Sequence, residues 1–259
     1  MKTKNLLLNL EYINKSMPNI SIIIPTLNEA ACLPLTLKNI SLLNPPPKEI
    51  LVVDSYSEDE TVSIALSFGV PVIYSPERGR SMQMNLGAKI ATGEILCFLH
   101  ADTIVPHDLI SIISQTLANQ NIVCGGFISI MGNSETTRWS ISLHNYLKTF
   151  YAPLLFRPHL FFKGLRILFG DQVIFSRRTD FWKVGGFNTN LSIMEDADLC
   201  LKLFKLGRIY LVNRFVYTSD RRVAKWGVFQ ANLIYLFIGF LWGFGVSPTF
   251  LKRFYQDIR

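Results

Sequence analysis

From Ser21 to Leu99, short apolar runs alternate with longer stretches in which apolar residues recur every three or four positions. Ser21–Ile24 is an unbroken strand-forming run halted by Pro25, as expected of a strand buried on both faces of a parallel sheet. Residues 29–43 carry helical spacing, which ends at Asn44 and the proline run Pro45–Pro47, where a fixed φ and missing N–H groups cannot continue a helix. Ile50–Val53, Pro71–Tyr74 and Glu94–Leu99 repeat the strand pattern. Residues 61–68 and 80–91 repeat the helical one, stopping at Gly69 and at Thr92-Gly93. This alternation predicts an α/β fold with an open, mostly parallel sheet and helices on both faces. Ligands of such sheets lie beyond the carboxyl ends of the strands. Polar residues stand there: Thr26, Asn28 and Glu29 after the first strand, Asp54 after the second, Asp102 after the fourth.

The second half reads differently. Residues 121–130 have strand character and 135–150 helical character, whereas 150–169 mix phenylalanines with Arg157, Lys163 and Arg166. Residues 228–246 are almost wholly apolar. No repeat or low-complexity linker divides the chain. The expectation is one domain over 19–218, preceded by an extension (1–18) and followed by an apolar and basic helical segment (219–259) packed on the domain or on a membrane. Residues 233–246 lack charge but are short for a spanning helix and hold three glycines. Burial in a core, a homodimer contact and shallow insertion at a bilayer face remain open, and flanking basic residues favour peripheral membrane contact.

Composition narrows the partners. The 259 residues carry a net charge of +7 with 49% hydrophobic residues, which suits an anionic partner such as a nucleoside diphosphate or an acidic membrane surface. No dense basic block interleaved with aromatics argues for nucleic acid. Cys32, Cys97, Cys124 and Cys200 are widely spaced and form no CxxC pair, so reduced thiols in a reducing compartment are expected. Leu6–Leu8 is broken at once by Asn9 and Glu11, without the pattern of a secretory leader. The expected location is cytoplasmic, at the membrane's cytoplasmic face.

Several strand ends carry candidate chemistry, each with a plainer alternative. Pro25–Glu29 places short polar groups where a base and ribose could lie, although strand ends often finish in polar turns. Asp54 could accept from an imide N–H or a ribose hydroxyl, or Asp54 and Asp59 could cap the following helix. Arg78 and Arg80, with Gln83 and Asn85 on the helix that follows, suit phosphate oxygens at a helix N-terminus; a solvated surface pair is the alternative. Asp102 could hold a divalent cation bridging a diphosphate, or cap a turn.

Taken in order, these segments resemble the inverting glycosyltransferases of family 2. The resemblance rests on Ile-Pro-Thr-Leu-Asn-Glu at 24–29, Val-Asp with Ser-x-Asp-x-Thr across 53–61, and His-Ala-Asp at 100–102. Gly-Gly-Phe at 185–187 and Met-Glu-Asp-Ala-Asp-Leu at 194–199 complete it. A narrower likeness, in Arg-Gly-Arg-x-x-Gln-Met-Asn at 78–85, Phe-Gly-Asp-Gln at 169–172, Ser-x-Arg-Arg at 219–222 and Tyr255, is to the radical-SAM/selenodomain-associated transferases, some of which carry an arsenosugar-biosynthesis label. The family resemblance implies a GT-A fold and transfer of a sugar from a nucleoside diphosphate donor, UDP favoured, to an acceptor that the sequence does not name; the apolar tail admits a lipid-linked one beside a small molecule. It implies Asp196, with Glu195, as the catalytic base; the alternative is that these acids merely complement a helix N-terminus. It also implies Asp102 as ligand of Mg²⁺ or Mn²⁺. The nucleotide site would be drawn from Pro25, Thr26, Asn28, Glu29, Asp54, Arg78, Arg80, Gln83, Asn85 and His100. Asp171, Gln172, Arg221 and Arg222 would face the acceptor and diphosphate, and Gly170 would permit a tight turn.

The chain departs from the family pattern in two places. His100 replaces the first aspartate of the family's Asp-x-Asp metal motif, and Ser55-Tyr56 replaces the usual glycines. The Gln-x-x-Arg-Trp motif of processive synthases is missing, which implies transfer of one sugar per acceptor. A rival reading is a degenerate member that binds nucleotide or lipid without transfer. A dinucleotide oxidoreductase would need GxGxxG after the first strand, where Pro-Thr-Leu-Asn-Glu stands.

Overall fold

The computed structural model describes residues 19–133 and 136–255; the expected extension over 1–18 lies outside the described residues. The first half alternates as the periodicity predicts: β1 (Ile20–Thr26), α1 (Leu33–Ser41), β2 (Glu49–Asp54), α2 (Thr61–Ser67), β3 (Val72–Tyr74), α3 (Arg80–Ile90) and β4 (Ile95–Phe98). There follow β5 (Thr103–Ile104), α4 (Leu109–Ala118), β6 (Ile122–Gly132), α5 (Trp139–Phe156), α6 (Pro158–Phe161) and a 3₁₀ turn at Gly170–Gln172. The last part holds β7 (Ile174–Arg177), α7 (Arg178–Lys183), α8 (Glu195–Leu203), β8 (Arg208–Ser219), α9 (Arg221–Trp226), α10 (Val228–Gly243) and α11 (Pro248–Leu251).

The strands form one sheet in the order β3-β2-β1-β4-β7-β6-β8-β5. β1, β2, β3 and β4 pair in parallel, as do β6 and β8, while β7 is antiparallel to both its neighbours. Strand β1 runs through Pro25, where the sequence pattern expects it to stop. The Thr26 carbonyl accepts from Ser55 N–H toward β2, and the Ile23 carbonyl accepts from Leu99 N–H toward β4. By alternation Pro25 turns its nitrogen toward β4, but pairing with β4 has already ended at Ile23 and Phe98. The missing N–H therefore removes no ladder bond.

Helices cover both faces. Ile22 and Ile24 point into a core closed by α1 and α4. Ile23 points into the opposite core, closed by α3, α7 and α8. All three isoleucines are fully buried, each contributing about 1.5–3 kcal/mol of transfer free energy. Helix α3 lies so close to the sheet that a Cβ on Gly87 would fall 2.5 Å from Ile23 Cγ2 and 3.0 Å from Val53 Cγ2.

The C-terminal helices pack on the domain. Ile238 of α10 and Leu251 of α11 form a small core with Ile193, against which Met194 packs. Helix α10 lies beside α5 and runs in the same sense: His144 meets Asn232, while Phe156 meets Phe240 and Phe244. No helix among the described residues is long and apolar enough to cross a membrane.

Candidate active site

Two strand-end loops lock together beyond β1 and β2. Asp54 is fully buried; its Oδ1 accepts from Thr26 Oγ1 (2.9 Å) and Ser57 Oγ (2.5 Å), and its Oδ2 from Ser57 N–H (2.8 Å). Asn28 N–H donates to Ser57 Oγ, and Asn28 Oδ1 accepts from Glu58 N–H, both at 2.8 Å. Asp59 accepts from the N–H groups of Thr61 (3.0 Å) and Ala30 (3.1 Å). Both aspartates thus shape the loops, and beside them Pro25, Asn28 and Glu29 keep accessible surface. Tyr56, standing where the family usually has glycine, has φ +58°. That left-handed backbone explains the family preference.

Two of the proposed nucleotide residues serve the fold. Gln83 spends its amide on the Thr26 and Val53 carbonyls, at 2.6 and 2.7 Å. Asn85 holds Phe187 in both directions, donating to its carbonyl (2.9 Å) and accepting from its N–H (3.0 Å). Arg78 is solvent-exposed and 3.6 Å from Glu58. Arg80, expected on phosphate, instead turns toward α8. Its guanidinium donates through Nε (2.7 Å) and a second nitrogen to Glu195 Oε1, and lies 3.5 Å from Asp196 Oδ2. Two neighbouring buried carboxylates require a counter-charge, and Arg80 supplies it.

The acids of α8 sit in a tight cluster. Met194, just before the helix, has φ +65°, and Glu195 and Asp196 are buried. Among the described residues Glu195 Oε2 has no hydrogen-bond partner. Asp196 Oδ2 accepts from Gly170 N–H at 2.9 Å. Burial, with Glu195 adding repulsion and Arg80 opposing both, pushes the Asp196 carboxyl up to about 7. Gly170 is required for close approach rather than for a left-handed turn: a Cβ there would run into His100 Nε2 and sit 3.1 Å from Asp196 Oδ2. Burial, together with Arg80 and Arg222, lowers the His100 imidazole to about 3, so it is neutral. Neutral His100 beside Arg80 cannot take the place of a metal-motif aspartate as an anion.

On the neighbouring side Arg221 joins residues far apart in sequence, donating to Glu29 Oε2 (2.7 Å) and Asp102 Oδ2 (3.1 Å). Among the described residues no three His, Cys, Asp or Glu side chains converge on one point as a metal cage. Asp102 alone still fits Mg²⁺ or Mn²⁺, which commonly take one or two carboxylates and complete their shell with water and substrate phosphate. Arg222 donates to Tyr255 Oη and stacks over its ring at 4.5 Å, tying the tail to the cleft.

Asp171 accepts from Ser129 Oγ (2.8 Å) and Asn145 Nδ2 (3.0 Å). Gln172, expected to face the acceptor, is fully buried. Its Oε1 accepts from Phe169 N–H (2.9 Å) and its amide donates to Thr149 Oγ1 (3.1 Å), so it braces the 3₁₀ turn. Sequence reasoning missed Lys148, a buried residue of α5 whose Nζ lies 3.6 Å over the Phe169 ring and donates to Asn145 Oδ1 at 3.2 Å. No local pattern singles it out. Tyr255 was visible only through the narrower resemblance.

The architecture is that of the GT-A glycosyltransferases. Glucosyl-3-phosphoglycerate synthase from Mycobacterium tuberculosis, solved with Mn²⁺, UDP and phosphoglyceric acid, superposes with a TM-score of 0.61 at 21% identity, over 89% of this chain and 80% of that one. A mannosyltransferase from Pyrobaculum calidifontis, in complex with GDP-Man and Mn²⁺, gives 0.61 at 22% identity; the match spans 77% of this chain but only 56% of that one. In sequence, residues 21–185 match the glycosyl transferase family 2 model, and the chain belongs to that family. It is 28% identical over 249 residues to a PGL/p-HBAD biosynthesis glycosyltransferase of Mycobacterium bovis, covering 93% of this chain and 86% of the relative. An uncharacterised glycosyltransferase of Rickettsia prowazekii is 30% identical over 223 residues, 80% of this chain and 65% of the relative.

Proposed function

We propose that the chain transfers one sugar, with inversion at the anomeric carbon, from a nucleoside diphosphate donor to an acceptor oxygen, UDP being the favoured nucleotide. Asp196 carries this reading. It is a buried carboxylate held by the Gly170 N–H with its carboxyl near 7, and a base poised near neutrality suits abstraction of an acceptor proton. The acceptor O–H proton passes to Asp196 as the oxygen bonds to the anomeric carbon. The bond from that carbon to the diphosphate breaks, and the nucleoside diphosphate leaves. Arg80 opposes the mutual repulsion of Glu195 and Asp196 and so favours the ionised form of the base. Arg221 and Arg222 face the leaving charge, and Pro25, Asn28 and Glu29 meet the nucleoside. A divalent cation, when bound by Asp102 with the donor, supplies further neutralisation of the diphosphate. Complexes of Mn²⁺ with GDP-Man in one structure of the same fold, and with UDP in another, support this reading.

Peripheral membrane contact belongs to the same proposal. Residues 136–169 and 221–255 contain no Asp or Glu. Helices α5, α6 and α10 and their flanks expose Trp139, Leu155, Phe162, Phe229 and Phe244, with Phe162 and Phe229 more than three-quarters exposed (80% and 77%). An apolar face in an acid-free, basic surround suits an anionic bilayer surface.

Thermal stability against a panel of UDP-, GDP- and dTDP-sugars, with and without Mn²⁺, tests the donor site. The expected result is an upward shift with one nucleotide that needs the metal and is lost in Asp102→Ala. A shift of equal size without metal would remove the cation and leave Arg221 as the neutralising group. No shift with any nucleotide, from folded protein, would favour a degenerate, non-transferring member.

A further inference from the structure

Tyr255 stands out in the sequence only through the narrower resemblance, and the chemistry proposed above gives it no task. Its place follows from how the chain turns back after α10. Gly245 takes a left-handed backbone (φ +88°) just beyond the helix. Ser247 then caps α11, accepting from Phe250 N–H at 3.3 Å, with Pro248 in the first turn. Leu251 is fully buried in the small core it forms with Ile193 and Ile238. The reversal brings Tyr255 back to the cleft, where it packs on the same small core as Met194, the residue that leads into Glu195 and Asp196. Trp226 of α9 meets the Tyr255 ring edge-on at 6.0 Å.

The arginines of the cleft differ in what they face. Arg80 meets Glu195 and Asp196, Arg221 meets Glu29 and Asp102, and exposed Arg78 meets Glu58. Arg222 meets no carboxylate among the described residues. Its guanidinium donates to Tyr255 Oη and stacks over that ring at 4.5 Å, while its buried Nε has no hydrogen-bond partner there. Tyr235, Arg80 and His100 lie around it. Two like charges, Arg80 and Arg222, are thus held near one another, and only Arg80 is compensated. A partly buried guanidinium without a counter-ion is unfavourable in the folded chain, and an anion bound in the cleft removes that penalty. A phenol suits the task of holding it. The oxygen accepts a hydrogen bond and the ring face attracts the cation, so the group is oriented without losing its charge. A carboxylate in that place would orient the guanidinium and neutralise it.

We infer that Tyr255 is a positioning residue, which holds Arg222 uncompensated for a diphosphate in the cleft, so that the C-terminal turn completes the site. Calling that diphosphate the leaving group rests on the transferase reading; the anion site itself does not. The same turn supports the base, because Leu251 and Tyr255 close the core on which Ile193 and Met194 rest.

The test compares UDP, GDP and dTDP with their nucleosides by titration calorimetry at one fixed Mn²⁺ concentration. Wild type is measured beside Arg222→Gln, Tyr255→Phe and the double variant. Arg222→Gln should weaken the bound diphosphate about tenfold to a hundredfold, the range of hydrogen bonds to charged groups, and leave the nucleoside unchanged. Arg222→Lys, which keeps the charge without the planar fork, should lose less and serves where Arg222→Gln fails to fold. Tyr255→Phe keeps the ring and should weaken the diphosphate about threefold to tenfold, with a melting temperature near that of wild type. On the Arg222→Gln background it should add nothing, because it acts through that guanidinium. With the donor that the nucleotide panel selects, Tyr255→Phe should lower kcat by more than it raises KM. Independent, additive losses, an unchanged preference for diphosphate over nucleoside in Tyr255→Phe, or no diphosphate binding by folded wild type would overturn the inference. Turnover with that preference unchanged in both single variants would overturn it too, yet leave the transferase reading standing. A preference that depends on Tyr255, without turnover of any donor, would keep the anion site and overturn the transferase reading.

Discussion

Asp196 bears two opposed demands. Burial and the adjacent Glu195 hold its carboxyl near 7, although Arg80 and the Gly170 N–H favour the ionised form. As a base it works only when ionised, so kcat/KM is expected to fall about tenfold per pH unit below about pH 7. The same shift acts on stability with a definite sign. An unfolded aspartate titrates near 3.8, so between about pH 4 and 7 the unfolded chain releases a proton that the folded chain retains. Asp196 therefore reduces stability as pH rises through that window, with no further change above it. Asp196→Asn removes the penalty and should melt higher than wild type at pH 8. Equal or lower melting, measured by calorimetry, would mean that the carboxylate is well solvated or fully compensated. The candidate acids were legible because polar residues directly follow apolar strand runs or open a helix. Gln83 and Asn85 share the residue type of ligand-binding amides, but their partners are backbone groups distant in sequence, which local pattern does not encode; Gln172 bonds the nearby Phe169 N–H and the distant Thr149 hydroxyl. Lys148 was invisible for the same reason: its burial is made by Phe169 and by Tyr235, whose ring lies 5.5 Å away.

At the scale of elements, the close approach of α3 to β1 and β2 fixes where Arg80 begins its reach toward α8. Gly87→Val would press against Ile23 and Val53, and should lower stability by about 1–3 kcal/mol, read as a fall in the urea midpoint without a change in slope. Unchanged stability would show that the helix moves off the sheet at little cost. The parallel half of the sheet was readable because its strands are buried on both faces and so form unbroken apolar runs. β7 has only four residues, too few to display a period. β8 hides its alternation: Ile209 faces one core and Val212 and Val216 the other, Tyr210, Phe215 and Tyr217 are exposed, and a register irregularity opposite Phe127 and Ile128 shifts the pattern.

For the whole molecule, charge is segregated. The acids gather at the strand ends, while the α5 and α9–α11 regions carry only basic charge and the exposed aromatics. Binding to vesicles containing anionic lipid is expected at low salt and should weaken as salt rises, since screening acts on exposed charges; Phe162→Ser with Phe229→Ser should weaken it further at every salt concentration. Flotation with neutral vesicles equal to that with anionic ones, or none with either, would contradict this orientation. The central claim is that Asp196 drives inverting transfer from a nucleoside diphosphate sugar. Its most direct test is nucleoside diphosphate release and product stereochemistry across the donor panel with Mn²⁺ and a panel of alcohol acceptors, in wild type and Asp196→Asn. The account predicts turnover of a donor to a product of inverted anomeric configuration, with a rate reduced by about 10²–10⁴ in Asp196→Asn. Retained configuration, or equal turnover in the variant, would contradict it.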